Sequence, residues 1–150
     1  VKIKCLINNE QKTIEILPGE MLIDTLHKLN ITSVRRGCDT TSCGVCTVLV
    51  DMKVVPSCSY LSARCDGKSI LTVEGIAEEA DKIAKHFGDE GADQCGYCNP
   101  SMALSVYALK QTNAELTDDQ IRHELVHNLC RCTGYVAQNE AVRRYLEEDR

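Results

Sequence analysis

The sequence predicts an α+β protein in two parts, a strand-rich half with a β-grasp arrangement and an all-helical half. Three observations predict it. Up to Glu74 apolar and polar residues alternate between tight turns, as half-buried strands require. Beyond Gly75 the apolar positions fall at helical spacing and no strand candidate recurs. Eight of the ten cysteines divide into two sets of four, one set in each half. The expected boundaries are 1–75 for the first domain and 76–150 for the second.

Lys2 to Ile7 alternates as a first strand, Asn8-Asn9 supplies the positive φ angles of a hairpin turn, and Thr13 to Leu17 returns. Pro18-Gly19 ends that strand, and Met21, Leu22, Leu26 and Leu29 then share one face of a short helix. A loop carrying Cys38, Cys43 and Cys46 follows, then a β-branched strand from Cys46 to Asp51. A turn at Asp51-Met52-Lys53 leads to Val54-Val55, and Ile70 to Val73 completes the set. Strands gathered around one helix and one metal loop make a β-grasp.

In the second half, Ala77 to Phe87 forms a helix whose end Gly88 and Gly91 bracket. Pro100 opens the next helix, which Met102 to Lys110 continues. Thr117-x-x-Gln120 is a capping box ahead of a helix from Ile121 to Leu129. Thr133-Gly134 separates a Cys-Arg-Cys turn from a last helix carrying Ala141, Val142 and Leu146. The second cysteine set therefore sits at helix ends, where backbone N–H groups point outward and can bond to sulfur. The tail Glu147-Glu148-Asp149 reads as a solvated end.

The cysteine spacing carries the chemistry. Cys38, Cys43 and Cys46 read C-x4-C-x2-C with Cys58 beyond a strand, the spacing of a plant-type [2Fe–2S] loop. Cys95-x2-Cys98 and Cys130-x-Cys132 form the second set. Disulfides suit this pattern poorly, because a single residue separates Cys130 from Cys132. The opening VKIKCLINNEQKTIEIL also lacks the apolar run and cleavage site of a secretory signal. Zinc remains a competitor, since four thiolates satisfy it too. Spacing favours iron–sulfur, and two clusters imply single-electron transfer. Cys5 and Cys65 are left over as buried small apolar residues or inert thiols.

Composition narrows the class further. A net charge of −5 and the lack of a basic run interleaved with aromatics exclude a nucleic-acid partner. The longest apolar stretch, Val106 to Leu109, is far too short for a membrane span, and a cytoplasmic protein is expected. With one Phe, five Tyr and no Trp, the core gains from a metal that crosslinks distant segments.

GCDTTSCGVCTVLV with Cys58, QCGYCNPSMA and NLCRCTGY together resemble the small iron–sulfur subunit of the molybdenum hydroxylases. That group includes xanthine dehydrogenases, aldehyde oxidoreductases, bacterial carbon monoxide dehydrogenases and N-heteroaromatic hydroxylases. The resemblance runs from about Lys2 to Tyr145, and the pairing of the two cysteine halves makes it specific. It implies a β-grasp ferredoxin domain followed by a four-helix domain, each with one [2Fe–2S] cluster. It also implies a large molybdopterin-binding subunit and a medium FAD-binding subunit as partners, with room for the complex to dimerise.

In that group molybdenum in the large subunit hydroxylates a C–H bond with oxygen from water. The two electrons leave singly through the helical-domain cluster and then the ferredoxin-type cluster to FAD. The last cysteine of CRC and the glutamine of QCG lie beside the pterin; here these are Cys132 and Gln94. A sulfur that ligates iron and also accepts a pterin N–H bond gives a short electronic path. Gln94 can donate and accept at a heterocycle edge, although a helix-end glutamine can also bond only to backbone. The resemblance gives this chain no catalytic residue, and leaves the substrate, a purine or other N-heterocycle or else an aldehyde, to the partner.

Several positions depart from the group's pattern. Thr41 stands at a usual Gly and Val45 at a usual Ala. A β-branched residue does not easily take positive φ, so Thr41 is expected to avoid it or to shift its neighbours. Gly37 and Gly44 remain, to let backbone amides approach sulfur closely. Asn99 and Ser101 replace Thr and Gly; they either bond near the cluster or, for Asn99, cap the helix before Pro100.

His123-Glu124-Leu125-Val126-His127 spells H-E-x-x-H, the zinc-protease signature, with both imidazoles expected on one helix face. No third ligand accompanies it, so His123 reads as a surface residue and His127 as a neighbour of the cluster. Arg131, between two ligands, either offsets cluster charge or meets a partner. Two other classes stay in view. A free-standing ferredoxin or redox sensor would show no large apolar docking surface, and a zinc-stabilised binding module would be colourless and redox-silent.

Overall fold

The computed structural model describes residues 1–112 and 114–148. The end of the acidic tail, at Asp149, therefore lies outside the described residues.

β1 (Lys2–Ile7) and β2 (Glu10–Glu15) form an antiparallel hairpin with Ile7 opposite Glu10. Asn8 and Asn9 take φ of 50° and 67°, so the turn is the two-residue left-handed kind that matches strand twist. That tight turn starts β2 three residues before the expected Thr13. The polar run Glu10-Gln11-Lys12 hides the strand from apolar alternation, while the turn geometry fixes its register. β3 (Thr47–Val50), β4 (Lys53–Pro56) and β5 (Ser69–Leu71) complete a sheet of order β2-β1-β5-β3-β4. β1 and β5 are parallel and the other pairs antiparallel, giving the mixed sheet of a β-grasp.

α1 (Leu22–Lys28) packs Leu22, Ile23 and Leu26 onto Ile3, Ile7, Val48 and Ile70 of the sheet. Cys5 and Cys65 lie in this same core. Burial pushes the Cys65 thiol up to about 12 and raises that of Cys5, so both are the inert thiols expected.

A 3-10 turn (Val73–Ile76) leads from β5 into four helices: α2 (Ala77–Asp89), α3 (Asn99–Gln111), α4 (Asp118–Glu124) and α5 (Val136–Glu147). Their shared core includes Ile83, Phe87, Met102, Val106, Ile121, Val142 and Tyr145. Tyr145 is fully buried, yet its hydroxyl donates to Glu79 Oε2 at 2.6 Å and the Lys110 ammonium lies 4.1 Å from its ring centre. A separate cluster of Leu49, Ile76 and Leu104 joins the sheet to the helices.

α4 corrects the expected helix from Ile121 to Leu129. Its start is as expected: Gln120 N–H donates to Thr117 Oγ1 at 3.3 Å and Thr117 N–H to Gln120 Oε1 at 2.8 Å, closing the capping box. It ends at Glu124: the Val126 and Asn128 N–H groups turn to His123 O and Leu125 O, three residues back, and the Leu129 N–H then donates to Cys43 O at 2.9 Å. The loop of one cysteine set thus meets the segment that leads to the other.

Candidate metal centres

The thiols, all free, lie two by two. The Cys38 side chain is within hydrogen-bonding reach of Cys43, and that of Cys46 within reach of Cys58. In the helical half the Cys98 thiol is within hydrogen-bonding reach of Cys130, and that of Cys95 within reach of Cys132. Among the described residues no three His, Cys, Asp or Glu side chains are placed to hold a single metal ion. A mononuclear zinc site gathers four ligands about one point. A [2Fe–2S] cluster has two irons, each taking two thiolates, and paired sulfurs match that requirement.

The surroundings of the sulfurs also suit such a group. Backbone N–H groups of Cys43, Thr40 and Ser42 turn toward Cys38 Sγ and hold its thiol down to about 6. The Tyr97 N–H lies 3.4 Å from Cys95 Sγ, and the Thr133 hydroxyl donates to Cys130 Sγ at 3.3 Å. Burial pushes up the thiols of Cys58 and Cys98, each to about 11 with its paired cysteine adding to the rise. At Cys130 burial also acts upward, but the Thr133 hydroxyl and nearby backbone N–H groups outweigh it and the net shift is down. Asn128, 1% exposed, has neither amide end partnered, and Gln138, 2% exposed, has an unpartnered Oε1. An unpaired buried amide costs about 1–3 kcal/mol, which polar contact with a bound group would offset.

The two sets are fastened to each other. Arg35 Nη1 donates to Gly96 O at 2.8 Å and Tyr97 O at 2.9 Å, while the Tyr97 hydroxyl donates to Arg36 O at 3.0 Å. The Arg35 guanidinium also lies 5.1 Å from the Tyr97 ring centre. On the other side, beside the Leu129–Cys43 bond, Gly44 has φ of +67° and a Cβ there would meet His127 O at 1.8 Å. Close approach of the second half is therefore what requires this glycine, more than access of amides to sulfur. Gly37 does sit against sulfur, since its Cβ would lie 3.2 Å from Cys43 Sγ. Val45 is buried with Cys43, Cys98 and Cys130, so its extra methyl groups fill the seam between the sets.

Gln94 and Cys132 both lie on the exposed side. Gln94 is in the loop between α2 and α3 rather than at a helix end, next to Cys95, whose thiol is within hydrogen-bonding reach of Cys132. Thr41 takes positive φ, at 58°, so of the two expected alternatives it does not avoid the left-handed region. The Asn99 cap is also corrected. Cys98 is the cap residue and Asn99 lies inside the first turn, where its amide donates to Asp93 Oδ1 at 2.9 Å. Ser101 Oγ donates to Cys98 O at 2.9 Å, fixing the backbone of a candidate ligand.

H-E-x-x-H does not share one helix, because α4 ends at Glu124. His123 is exposed, and His127 Nε2 meets Ser105 Oγ at 3.1 Å. Burial lowers the His127 pKa. Arg131 is exposed beside Cys132. Sequence reasoning missed Arg35, Tyr97, Asn128 and Gln138. The arginine pair before Gly37-Cys38 and the aromatic inside Cys95-x2-Cys98 were available signals; Gln138, inside an ordinary helical pattern, gave none.

Residues 5–72 match the family described as 2Fe-2S iron-sulfur cluster binding domain, and residues 72–143 match the [2Fe-2S] binding domain. The chain is 38% identical to the nicotinate dehydrogenase small FeS subunit of Eubacterium barkeri, over 98% of this chain and 96% of that protein. It is 39% identical to the xanthine dehydrogenase iron-sulfur-binding subunit of Escherichia coli O157:H7, over 90% of this chain and 87% of that one. Among solved structures it is similar to the aldehyde oxidoreductase of Desulfovibrio desulfuricans, with a TM-score of 0.91 and 32% identity. That likeness covers 98% of this chain but 17% of the other, a segment of a much longer polypeptide.

Proposed function

The chain belongs to the small [2Fe–2S] subunits of the molybdenum hydroxylases, and from that premise we propose that Cys38, Cys43, Cys46 and Cys58 ligate one cluster and Cys95, Cys98, Cys130 and Cys132 the other. When bound, the two clusters supply one-electron carriers. The chain is the electron-transfer subunit of an oxidoreductase. Its residues hold the two carriers adjacent, shield their inner sulfurs and leave the Cys95–Cys132 pair at the surface. The division of labour follows the two halves, 1–75 and 76–150. The observation that carries the ligand assignment is that the free thiols of each half lie close together in pairs, with Cys43, Cys98 and Cys130 buried in one cluster.

Cys132 and Gln94 form the contact to the pterin of a large molybdopterin-binding subunit, and the ferredoxin-type cluster passes electrons to a FAD-binding subunit. Val126 and Val136, 79% and 80% exposed, stand with exposed Leu129 and Tyr135 around the Cys-Arg-Cys turn. Such an apolar surface around an outward-facing ligand favours a docked subunit over a free-standing ferredoxin. The substrate we propose is an N-heterocycle, in keeping with relatives named for nicotinate and xanthine, with an aldehyde as the alternative. Ten free cysteines suit the reducing cytoplasm. Among the described residues no helix is long and apolar enough to cross a membrane.

The test is low-temperature EPR of the dithionite-reduced protein, with iron and acid-labile sulfide counted on the same sample. Two distinct S = ½ signals and about four iron per chain are expected of two [2Fe–2S] centres, each held by four thiolates. Bound zinc without signal would overturn the assignment. Cys132→Ser should weaken the helical-half signal and slow FAD reduction in the complex while the ferredoxin-type signal survives; equal loss of both would indicate general unfolding.

A further inference from the structure

Gln138 lies on the inner face of α5, in the same helix as buried Ala141, Val142 and Tyr145. An aliphatic side chain would satisfy such a position without an orphaned polar end. Instead Gln138 is 2% exposed, its Nε2 donates to Cys98 Sγ at 3.9 Å, and its Oε1 has no partner. The bond crosses from one helix to the start of another and reaches a sulfur that is itself buried.

A long N–H···S contact to a neutral thiol offsets little of the cost of burying an amide. The same donor facing a thiolate makes a charge-assisted bond in a site with little solvent to screen it. A one-electron reduction adds negative charge that the ligand sulfurs share, so a donor held on one of them favours the reduced form. Hydrogen bonds to cluster sulfurs are one of the levers that set reduction potential.

We propose that Gln138 is a positioning residue that tunes the helical-half cluster: its Nε2–H, aimed at the Cys98 sulfur, holds the potential of that cluster above the value it would otherwise have. This rests on the reading of Cys98 as a ligand. The consequence is directional, because the donor makes the helical-half cluster the readier electron acceptor. The ferredoxin-type cluster has no share in this bond.

The experiment is a redox titration of the full chain with both clusters loaded, following each EPR signal separately in wild type, Gln138→Leu and Gln138→Glu. Leucine removes the donor. Glutamate keeps the size and replaces the donor by a charged acceptor. In Gln138→Leu the oxidised-to-reduced ratio of the helical-half cluster at fixed potential should rise about three- to tenfold, a tenfold change being about 59 mV for one electron. Gln138→Glu should move it further in the same sense, and the ferredoxin-type signal should titrate as in wild type. Full-intensity signals with unchanged titration, or equal shifts of both clusters, would overturn the proposal. Loss of the helical-half cluster in both variants would also overturn it, assigning Gln138 a structural role. A wild-type chain lacking that signal altogether would instead overturn the ligand assignment.

Discussion

Thr41 carries the clearest conflict between side chain and backbone. Its φ of 58° lies where a Cβ crowds the following carbonyl, and branching at Cβ worsens the crowding. Its hydroxyl donates to Thr40 O at 2.7 Å, a local bond that water can replace because the residue is exposed. The left-handed geometry costs about 1–2 kcal/mol for a residue with a side chain, part of which glycine returns through its freedom in the unfolded chain. Thr41→Gly should therefore stabilise the protein by about 0.5–1 kcal/mol, a rise in Tm of about 1–4 °C, measured by calorimetry. An unchanged or lower Tm would mean that threonine contributes a compensating contact. At this scale the candidate ligands could be proposed from the sequence, because cysteine spacing is a local property. Arg35 and Tyr97 were not read as partners, since nothing local says that residues so far apart in the chain meet.

Among the elements, α4 shows how one half edits the other. Its capping box was legible, because Thr117 and Gln120 act within a single turn. Its end was not: after Glu124 the chain tightens into i→i−3 turns and then bonds to the Cys43 carbonyl through the Leu129 N–H, a partner that only the folded chain brings near. Gly44 lies at the same contact, with its missing Cβ 1.8 Å from the His127 carbonyl. Gly44→Ala must both hold alanine at positive φ and push the α4–Cys130 segment from the ferredoxin loop. The expected loss is about 2–4 kcal/mol in stability, from left-handed strain and overpacking together. The readout that identifies the mechanism is magnetic. Weaker interaction between the two reduced cluster signals in EPR, each at full intensity, is expected if the segments separate. An unaltered interaction would show that the strain is absorbed elsewhere.

For the whole molecule, the two-part α+β plan was legible because each half has its own hydrophobic period, about two in the strands and about 3.6 in the helices. How the halves meet was not, and the contacts explain why. The sheet core and the helical core are separate sets of buried residues. What joins them, besides the Arg35–Tyr97 strap, is a small apolar contact of Leu49, Ile76 and Leu104 and a seam of Cys43, Val45, Cys98 and Cys130. The seam is made largely of the candidate ligands, so bound clusters and inter-domain packing reinforce each other. Removing iron should leave the sheet and the helices folded while releasing the seam, where neighbouring sulfurs then lack a bridging metal. Calorimetry of the iron-free protein should show two transitions, both below the single transition of the loaded one, with most far-UV circular dichroism retained before the first. The Arg35–Tyr97 strap and the Leu49 contact limit the separation, since neither needs metal. One cooperative transition at the loaded temperature would mean that these metal-independent contacts suffice, whereas immediate loss of helical signal would mean that the second half cannot fold without its cluster.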